Sequence, residues 1–474
     1  MSDPSHADIG VVGLGVMGAN LARNLERRAG KRVVVHDREA AQVDRFLSAE
    51  EGRSFLRADD LAGLAARLES PRRILVMVPA GAPVDAVLDA LAEVLEAGDV
   101  VIDGGNSHYK ETMAREARYR SLGLHFVGMG VSGGAQGALH GPSLMPGGSQ
   151  EAWSALRGLL EPIAAESDAG PCVGHVGPDG AGHFVKMVHN GIEYADMQAI
   201  AEVVDVLRRI HGLTSKQAAD VFAAWHEGPL ESFLVGLTAR VLATRDPKDP
   251  SGERALVDSV LDRAGQKGTG RWTVAEAVER GVATPSISAA LDARVLSSKK
   301  PDRVAASEIL RGPLVSTESW SEEAAQASAD ALLAARLAAM AQGMDLVGVA
   351  SEEEGWAVDR AELARLWRAG CILRARTLDD VRTAYTAASP ANLLVAPRIA
   401  PAIGALLPGL RQVVALAARH GIPTPVLSAS LAYVDAYRTA DLPQNVTQAQ
   451  RDAFGGHTYV RRDDPEGRPV HSEW

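Results

Sequence analysis

Short apolar runs alternate with amphipathic stretches over the first third of the chain. Residues 9–12, 32–35, 73–78, 100–102 and 125–127 are rich in Val and Ile and have the length of buried strands. Between them, stretches such as 61–68 and 84–95 place Leu, Val and Ala at helical spacing. Strand–helix alternation of this kind predicts an α/β Rossmann-like domain with a parallel, doubly wound sheet, spanning residues 1–180. The pattern changes near residues 177–182. Long Ala- and Leu-rich stretches follow with few strand signals, so an all-helical domain is expected over 181–440. Inside it, Trp225-His-Glu-Gly228-Pro-Leu230 and Trp367-Arg-Ala-Gly370-Cys-Ile372 share one spacing, and each follows a helical run. A duplicated helical unit produces such an echo. Residues 441–474 are polar, rich in Gly and Pro, and expected to be poorly helical, either a loose C-terminal tail or an arm that packs on another subunit.

Composition narrows the function. A chain of 474 residues suggests two or three domains. A formal net charge of −11 disfavours a nucleic-acid partner, while an anionic small substrate remains compatible if one pocket gathers positive charge. The two cysteines, Cys172 and Cys371, give neither metal-type spacing nor a disulfide framework, which fits a reducing, cytoplasmic setting. Residues 1–8 lack the basic and apolar regions of a signal peptide, and no uninterrupted apolar run reaches about 18 residues. A soluble protein without a membrane partner is expected.

Gly13-Leu14-Gly15-Val16-Met17-Gly18 follows the first predicted strand and opens a helical run. Gly13 suits the tight turn, Gly15 lets the backbone approach a pyrophosphate, and Gly18 permits close packing of helix on sheet. The helix start then offers free N–H groups to the phosphates. Asp37, after the second strand, suits a ribose 2′-hydroxyl, as in NAD binding. Arg38 suits a 2′-phosphate, as in NADP binding, and Glu39 opposes one. The residues alone lean to NAD.

His183-Phe-Val-Lys186-Met-Val-His189-Asn190-Gly-Ile-Glu193-Tyr194 carries the densest chemistry. At helical spacing Lys186, His189, Asn190, Glu193 and Tyr194 share one arc, with Val185, Val188, Ile192, Ala195 and Ala199 opposite. Lys and Glu alone would suit a solvated face. The added His, Asn and Tyr suit a chemical one, and the helix by itself leaves the two readings balanced.

These segments resemble the 6-phosphogluconate dehydrogenase family, in its long form with a duplicated helical domain. The likeness extends over residues 13–21, Asp103-Gly-Gly-Asn106-Ser, Gly130-Val-Ser132-Gly133-Gly134, residues 141–148, 183–198 and 264–270, Arg294-Val-Leu-Ser-Ser, and residues 448–459. It implies oxidative decarboxylation of 6-phosphogluconate to ribulose 5-phosphate and CO2 with reduction of NAD or NADP, without a metal. By motif, Lys186 corresponds to the general base and Glu193 to the general acid. Ser132, Gly133 and Gly134 match the loop for the carboxylate end. Asn106, His189 and Asn190 match the partners of the sugar hydroxyls. Tyr194, Lys267, Thr269 and Arg294 match the phosphate set; a plain turn and a surface ion pair are the alternatives for Lys267 to Thr269 and for Arg294. Val78, Pro79, Ala80 and Asn106 fall with the glycine loop in the cofactor set. Arg451 and His457 match residues supplied by a second subunit, which implies a homodimer whose tail completes the partner's site.

The chain departs from the family where the cofactor binds. Asp37-Arg38-Glu39 stands where NADP users have Asn-Arg-Thr, and Val78-Pro79-Ala80-Gly81 where they have Val-Lys-Ala-Gly. Ala135-Gln136, His140 and Ala453 replace two glutamates and two tyrosines. A preference for NAD, or dual use, is expected. Another β-hydroxyacid dehydrogenase and a catalytically silent sensor of nucleotide or sugar phosphate are the competing readings. The first does not call for the phosphate set, and the second would have lost Lys186 or Glu193.

Overall fold

The computed structural model describes residues 6–313 and 315–474. The N-terminal domain is built on a seven-stranded sheet: β1 (Ile9–Val12), β2 (Val33–His36), β3 (Phe55–Arg57), β4 (Arg73–Val76), β5 (Val100–Asp103), β6 (His125–Ser132) and β7 (Ser143–Pro146). Their order is β3-β2-β1-β4-β5-β6-β7; the first six are parallel and β7 is antiparallel to β6. The inner strands are apolar on both faces because helices cover both, forming one core around Ile9, Val11 and Ile102 and another around Val12, Val34 and Val101. The chain leaves β1 toward β2 on one side and enters β4 on the other. This opens a crevice at the carboxyl ends of β1 and β4, where dinucleotides bind in sheets of this topology.

Two strands of this sheet lie outside the sequence reading. β3 is only three residues long, and β7 has just Leu144 and Met145 between Ser143 and a closing proline. Both are edge strands, where a short or proline-ended run leaves little periodic signal. The predicted second strand is displaced by one residue, and the third stops at Val76 rather than residue 78, ahead of the loop that carries Val78 and Pro79.

The helical domain is a duplication. A long helix, Ala181–Arg209, precedes Ser215–His226, Phe233–Ala243, Thr269–Glu279 and Pro285–Ser298. A second long helix, Glu322–Glu353, precedes Arg360–Leu366, Thr377–Ala387, Ile399–Arg419 and Pro425–Tyr437. Gly281-Val-Ala-Thr-Pro285 and Gly421-Ile-Pro-Thr-Pro425 lead into the last helix of each repeat. The two echo segments are followed by backbones that pair with each other: Phe233 N–H donates to the Arg374 carbonyl (3.0 Å) and Arg376 N–H to the Glu231 carbonyl (3.1 Å). When Pro285 and Pro425 are aligned, Asp196 and Arg336 fall at the same position of the two long helices. They form a buried ion pair with each other at 3.0 Å. Each long helix also caps the last helix of the other repeat. Glu202 accepts the N–H groups of Val426 and Leu427 (2.9 Å each), and Gln342 accepts that of Ser286 (3.0 Å). Glu322–Glu353 and Ile399–Arg419 are long and apolar enough to cross a membrane; the first is largely buried inside the helical domain.

A second compact unit runs from Leu431 to Trp474. Contrary to the expectation of a poorly helical tail, it holds the helix Gln444–Gly455 and a hairpin of Tyr459–Val460 with Pro469–Val470. The segment 444–455 has no proline, glycine only at its last position, and Val446, Ala449 and Ala453 at helical spacing, a signal diluted by its polar neighbours. Asp452 is the hub of this unit, accepting from Thr458 and Ser472 N–H, His471 Nδ1 and Trp474 Nε1. Burial alone would push its pKa up; these donors outweigh it and bring it down to about 2.

Candidate active site

The glycine loop lies at the β1 end of the crevice. Gly13 has φ 95°, and a side chain there would meet the Met77 carbonyl at 2.6 Å. Gly18 packs directly on the Gly13 carbonyl, while nothing approaches the open side of Gly15, which caps the helix Val16–Arg27. Leu14 is buried, Met17 half-buried and Val16 exposed. Asp37 closes the loop: its carboxylate accepts N–H from Leu14 at 2.7 Å and from Glu39 at 3.0 Å. Arg38, Glu39, Pro79 and Ala80 are exposed and Val78 is half-buried. The loop after β5 carries Asn106, also exposed.

The polar arc of Ala181–Arg209 is not a solvated face. Lys186, His189 and Tyr194 are buried, and Asn190 and Glu193 are half-buried. The helix reaches this depth because glycines sit on both sides of its contact with the sheet. A side chain on Gly130 of β6 would lie 2.7 Å from Lys186 Cβ, and Gly182 sits against the Gly128 carbonyl. Burial lowers the pKa of Lys186 against the opposing field of Glu193, and raises that of Glu193 against Lys186 and Arg294. Burial likewise holds His189 well below its usual range. The site therefore favours an uncharged amine and an uncharged carboxyl on one helix. His189 Nε2 lies 3.3 Å from Ser132 Oγ, its Nδ1 3.2 Å from Asn190 Oδ1 and 3.8 Å from Glu193.

Ser132 ends β6, and Gly133 (φ 122°) and Gly134 lead into the helix Gly134–His140. Gly133 packs on the Gly370 carbonyl, so a side chain there is excluded by both conformation and space. At the other end of the arc, Asn190 donates to Thr269 Oγ1 (3.1 Å) at the start of Thr269–Glu279. The Arg294 guanidinium sits 3.5 Å from the centre of the Tyr194 ring, and Gly270 packs on that ring. Lys267 is exposed two residues before this helix. A helix start, a guanidinium and a phenol lie together there, with a lysine just before that helix in the chain, chemistry that suits a phosphate dianion. Arg451 and His457 lie exposed on the C-terminal unit.

Family models match nearly the whole chain: "NAD binding domain of 6-phosphogluconate dehydrogenase" over residues 8–177 and "6-phosphogluconate dehydrogenase, C-terminal domain" over 182–474. The chain belongs to the 6-phosphogluconate dehydrogenase family. It is 50% identical over 469 residues to the decarboxylating 6-phosphogluconate dehydrogenase of Synechococcus elongatus, covering 98% of each chain. It is 44% identical over 473 residues to the NADP(+)-dependent, decarboxylating enzyme of Bacillus subtilis, covering 99% of each. The solved structure of Plasmodium falciparum 6-phosphogluconate dehydrogenase, described with NADP+ and with 6-phosphogluconate, superposes with a TM-score of 0.93 at 37% identity, over 98% of this chain and all of that one.

Several neighbours of the site lie outside the sequence reading. Trp367 is fully buried and meets His189 edge to face, centres 5.3 Å apart. Cys371 is buried close enough to Lys186 that burial, against the field of that lysine, pushes its thiol up to about 12. Trp367 belongs to the repeat echo, whose spacing signals duplication and carries no sign of chemistry. His183 stood at the head of the helix motif without a role.

Proposed function

We propose that this chain oxidises and decarboxylates 6-phosphogluconate to ribulose 5-phosphate and CO2, with NAD or NADP as hydride acceptor. The observation that carries the reading is the buried arc from Lys186 to Tyr194, which joins a neutral-leaning amine and carboxyl to a cationic, donor-rich cluster at Thr269 and Arg294. Lys186 takes the proton of the C3 hydroxyl as hydride leaves C3. The C1 carboxylate is then β to a ketone, and CO2 departs as its bonding electrons flow toward the C3 oxygen. Protonated Lys186 donates to that oxygen as charge grows on it. Glu193, whose carboxyl burial shifts toward its protonated form, delivers a proton to C1 of the enediol. Ser132, Gly133 and Gly134 hold the carboxylate end, Asn106, His189 and Asn190 the sugar hydroxyls, and Tyr194, Lys267, Thr269 and Arg294 the phosphate.

Gly13, Leu14, Gly15, Val16, Met17 and Gly18 would hold the nicotinamide dinucleotide, together with Asp37, Arg38, Val78, Pro79, Ala80 and Asn106, and the bound cofactor would supply the hydride acceptor. NADP-dependent relatives and the exposed Arg38 favour a 2′-phosphate; Asp37, Glu39 and the missing lysine at Pro79 oppose one. The reading is dual use with weak discrimination. Comparing kcat/KM for the two cofactors tests it, and an NADP preference above about 100-fold, or roughly 2.7 kcal/mol, contradicts it. Residues 1–180, 181–440 and 441–474 act as cofactor domain, substrate and dimerisation domain, and a tail whose Arg451 and His457 complete the site of a second copy. Two free, buried thiols, Cys172 and Cys371, suit a reducing compartment. The activity itself is tested by analysing products: 6-phosphogluconate with either cofactor should yield ribulose 5-phosphate and CO2 in equal amounts. A 3-keto acid that keeps its carboxyl would point to a β-hydroxyacid dehydrogenase that stops at oxidation.

A further inference from the structure

His183 lies one helical turn before Lys186 and is buried, with both ring nitrogens engaged. Its Nε2 is 3.1 Å from the backbone carbonyl of Asp103, at the end of β5. A carbonyl only accepts, so Nε2 carries the proton and Nδ1 presents its lone pair. Thr112 Oγ1, at 2.6 Å from Nδ1, is therefore the donor. Burial keeps the ring neutral, in agreement with this single tautomer. The contact exists because residue 128 of β6 is glycine: a side chain there would stand 2.9 Å from His183 Nδ1 and overlap Thr112 Cγ2.

Asp103 is equally committed. Its carboxylate accepts the N–H of Gly105 at 2.9 Å and the hydroxyl of Ser107 at 2.5 Å, the residues on either side of Asn106. Asn106 alone is left exposed between two pinned neighbours. Thr112, on the helix Tyr109–Ser121 that follows this loop, closes the ring of contacts. The helix that carries Lys186 is thus tied, through one histidine, to both the start of the Asn106 loop and the helix that ends it.

We propose that His183 is a positioning residue that fixes Asn106 relative to Lys186, so that the sugar hydroxyls and the base meet in one register. The inference rests on the substrate-binding reading of Asn106 above. A histidine that merely fills the core would affect stability and leave the response to Asn106 substitution unchanged.

The test is a double-mutant cycle on kcat/KM for 6-phosphogluconate, with Asn106→Ala, His183→Ala and the double variant in the full-length protein. We expect each single variant to lose about tenfold or more, since small displacements of reacting groups are costly, and the double to lose little beyond Asn106→Ala. Thr112→Val should repeat the His183 effect as a raised KM, and Thr112→Ser, which keeps the hydroxyl, should restore it. Losses that multiply within about twofold would overturn the inference, as independent sites behave that way. If Asn106→Ala alone leaves kcat/KM and KM unchanged, the reading of Asn106 fails and the inference falls with it. If His183→Ala does not fold, the Thr112 pair run in the same cycle decides between the same two outcomes.

Discussion

Lys186 and Glu193 are seven residues apart on one helix and are shifted toward neutrality from opposite directions by the same burial. In water both would be charged at neutral pH; burial moves the amine toward its free-base form and the carboxyl toward its acid form, the directions that the proposed base and acid need. Lys186→Ala should lower kcat on the order of 10³-fold with little change in cofactor affinity, read by steady-state kinetics beside nucleotide titration. Glu193→Gln keeps the shape and removes the proton, so it should lower kcat by roughly 100-fold or more while 6-phosphogluconate still binds. Among the described residues, the Arg294 guanidinium bonds to the Gly265 carbonyl and the Met197 sulfur and lies over the Tyr194 ring, with no carboxylate ion pair, which leaves it available to an anion. Arg294→Ala should raise the KM for 6-phosphogluconate by about 10- to 100-fold, the range for a lost charge-assisted bond, and leave KM for the nucleotide unchanged. A matching rise in the nucleotide KM would place Arg294 elsewhere.

At the scale of elements, the duplication supplies an internal comparison. Glu202 and Gln342 do the same job, each capping the last helix of the opposite repeat, but one is ionisable. Burial raises the Glu202 pKa to about 7, against the lowering effect of the Leu427 and Val426 N–H groups and Gln198. The unfolded carboxyl titrates near 4.5, so between those two values the folded state holds the extra proton. Stability should therefore fall as pH rises through that window and then level off, by up to roughly 3 kcal/mol. Glu202→Gln copies the neutral partner. It should match the wild-type melting temperature near pH 4.5 and exceed it at pH 8. A constant gap across that range would contradict the argument. The order of elements was legible where apolar runs were long and flanked by glycine, as at Ile9–Val12 with Gly13 after it. It was illegible at β3, β7 and the helix Gln444–Gly455, where a few apolar residues are diluted by Ser, Pro, Arg or Gln. The Trp225 and Trp367 echo was legible as a repeat. That Trp367 abuts His189 depends on the β-sheet domain packing on one repeat, which spacing along the chain does not encode.

At the scale of the molecule, the polar arc shows how far local pattern reaches. Its residues and spacing were visible in the sequence, yet a solvated face has the same periodicity. What separates the two is burial, set by the close contact of Gly130 of β6 with Lys186 and of Gly182 with the Gly128 carbonyl, and by Thr269 and Arg294 arriving from later helices. The tail raises the corresponding question for the assembly. If Arg451 of one copy serves the site of another, mixing inactive Lys186→Ala with inactive Arg451→Ala subunits should restore activity. In a randomly reassorted homodimer population about a quarter of the sites would be intact. No recovery after verified exchange would confine each site to its own chain.

The most direct test of the account is the absorbance of the reduced nicotinamide with 6-phosphogluconate as sole substrate, wild type beside Lys186→Ala, with NAD and with NADP. The account predicts rapid reduction by the wild type with both cofactors and a loss on the order of 10³-fold in the variant. Turnover by Lys186→Ala at the wild-type rate, or no reduction by a folded, nucleotide-binding wild type, would contradict it.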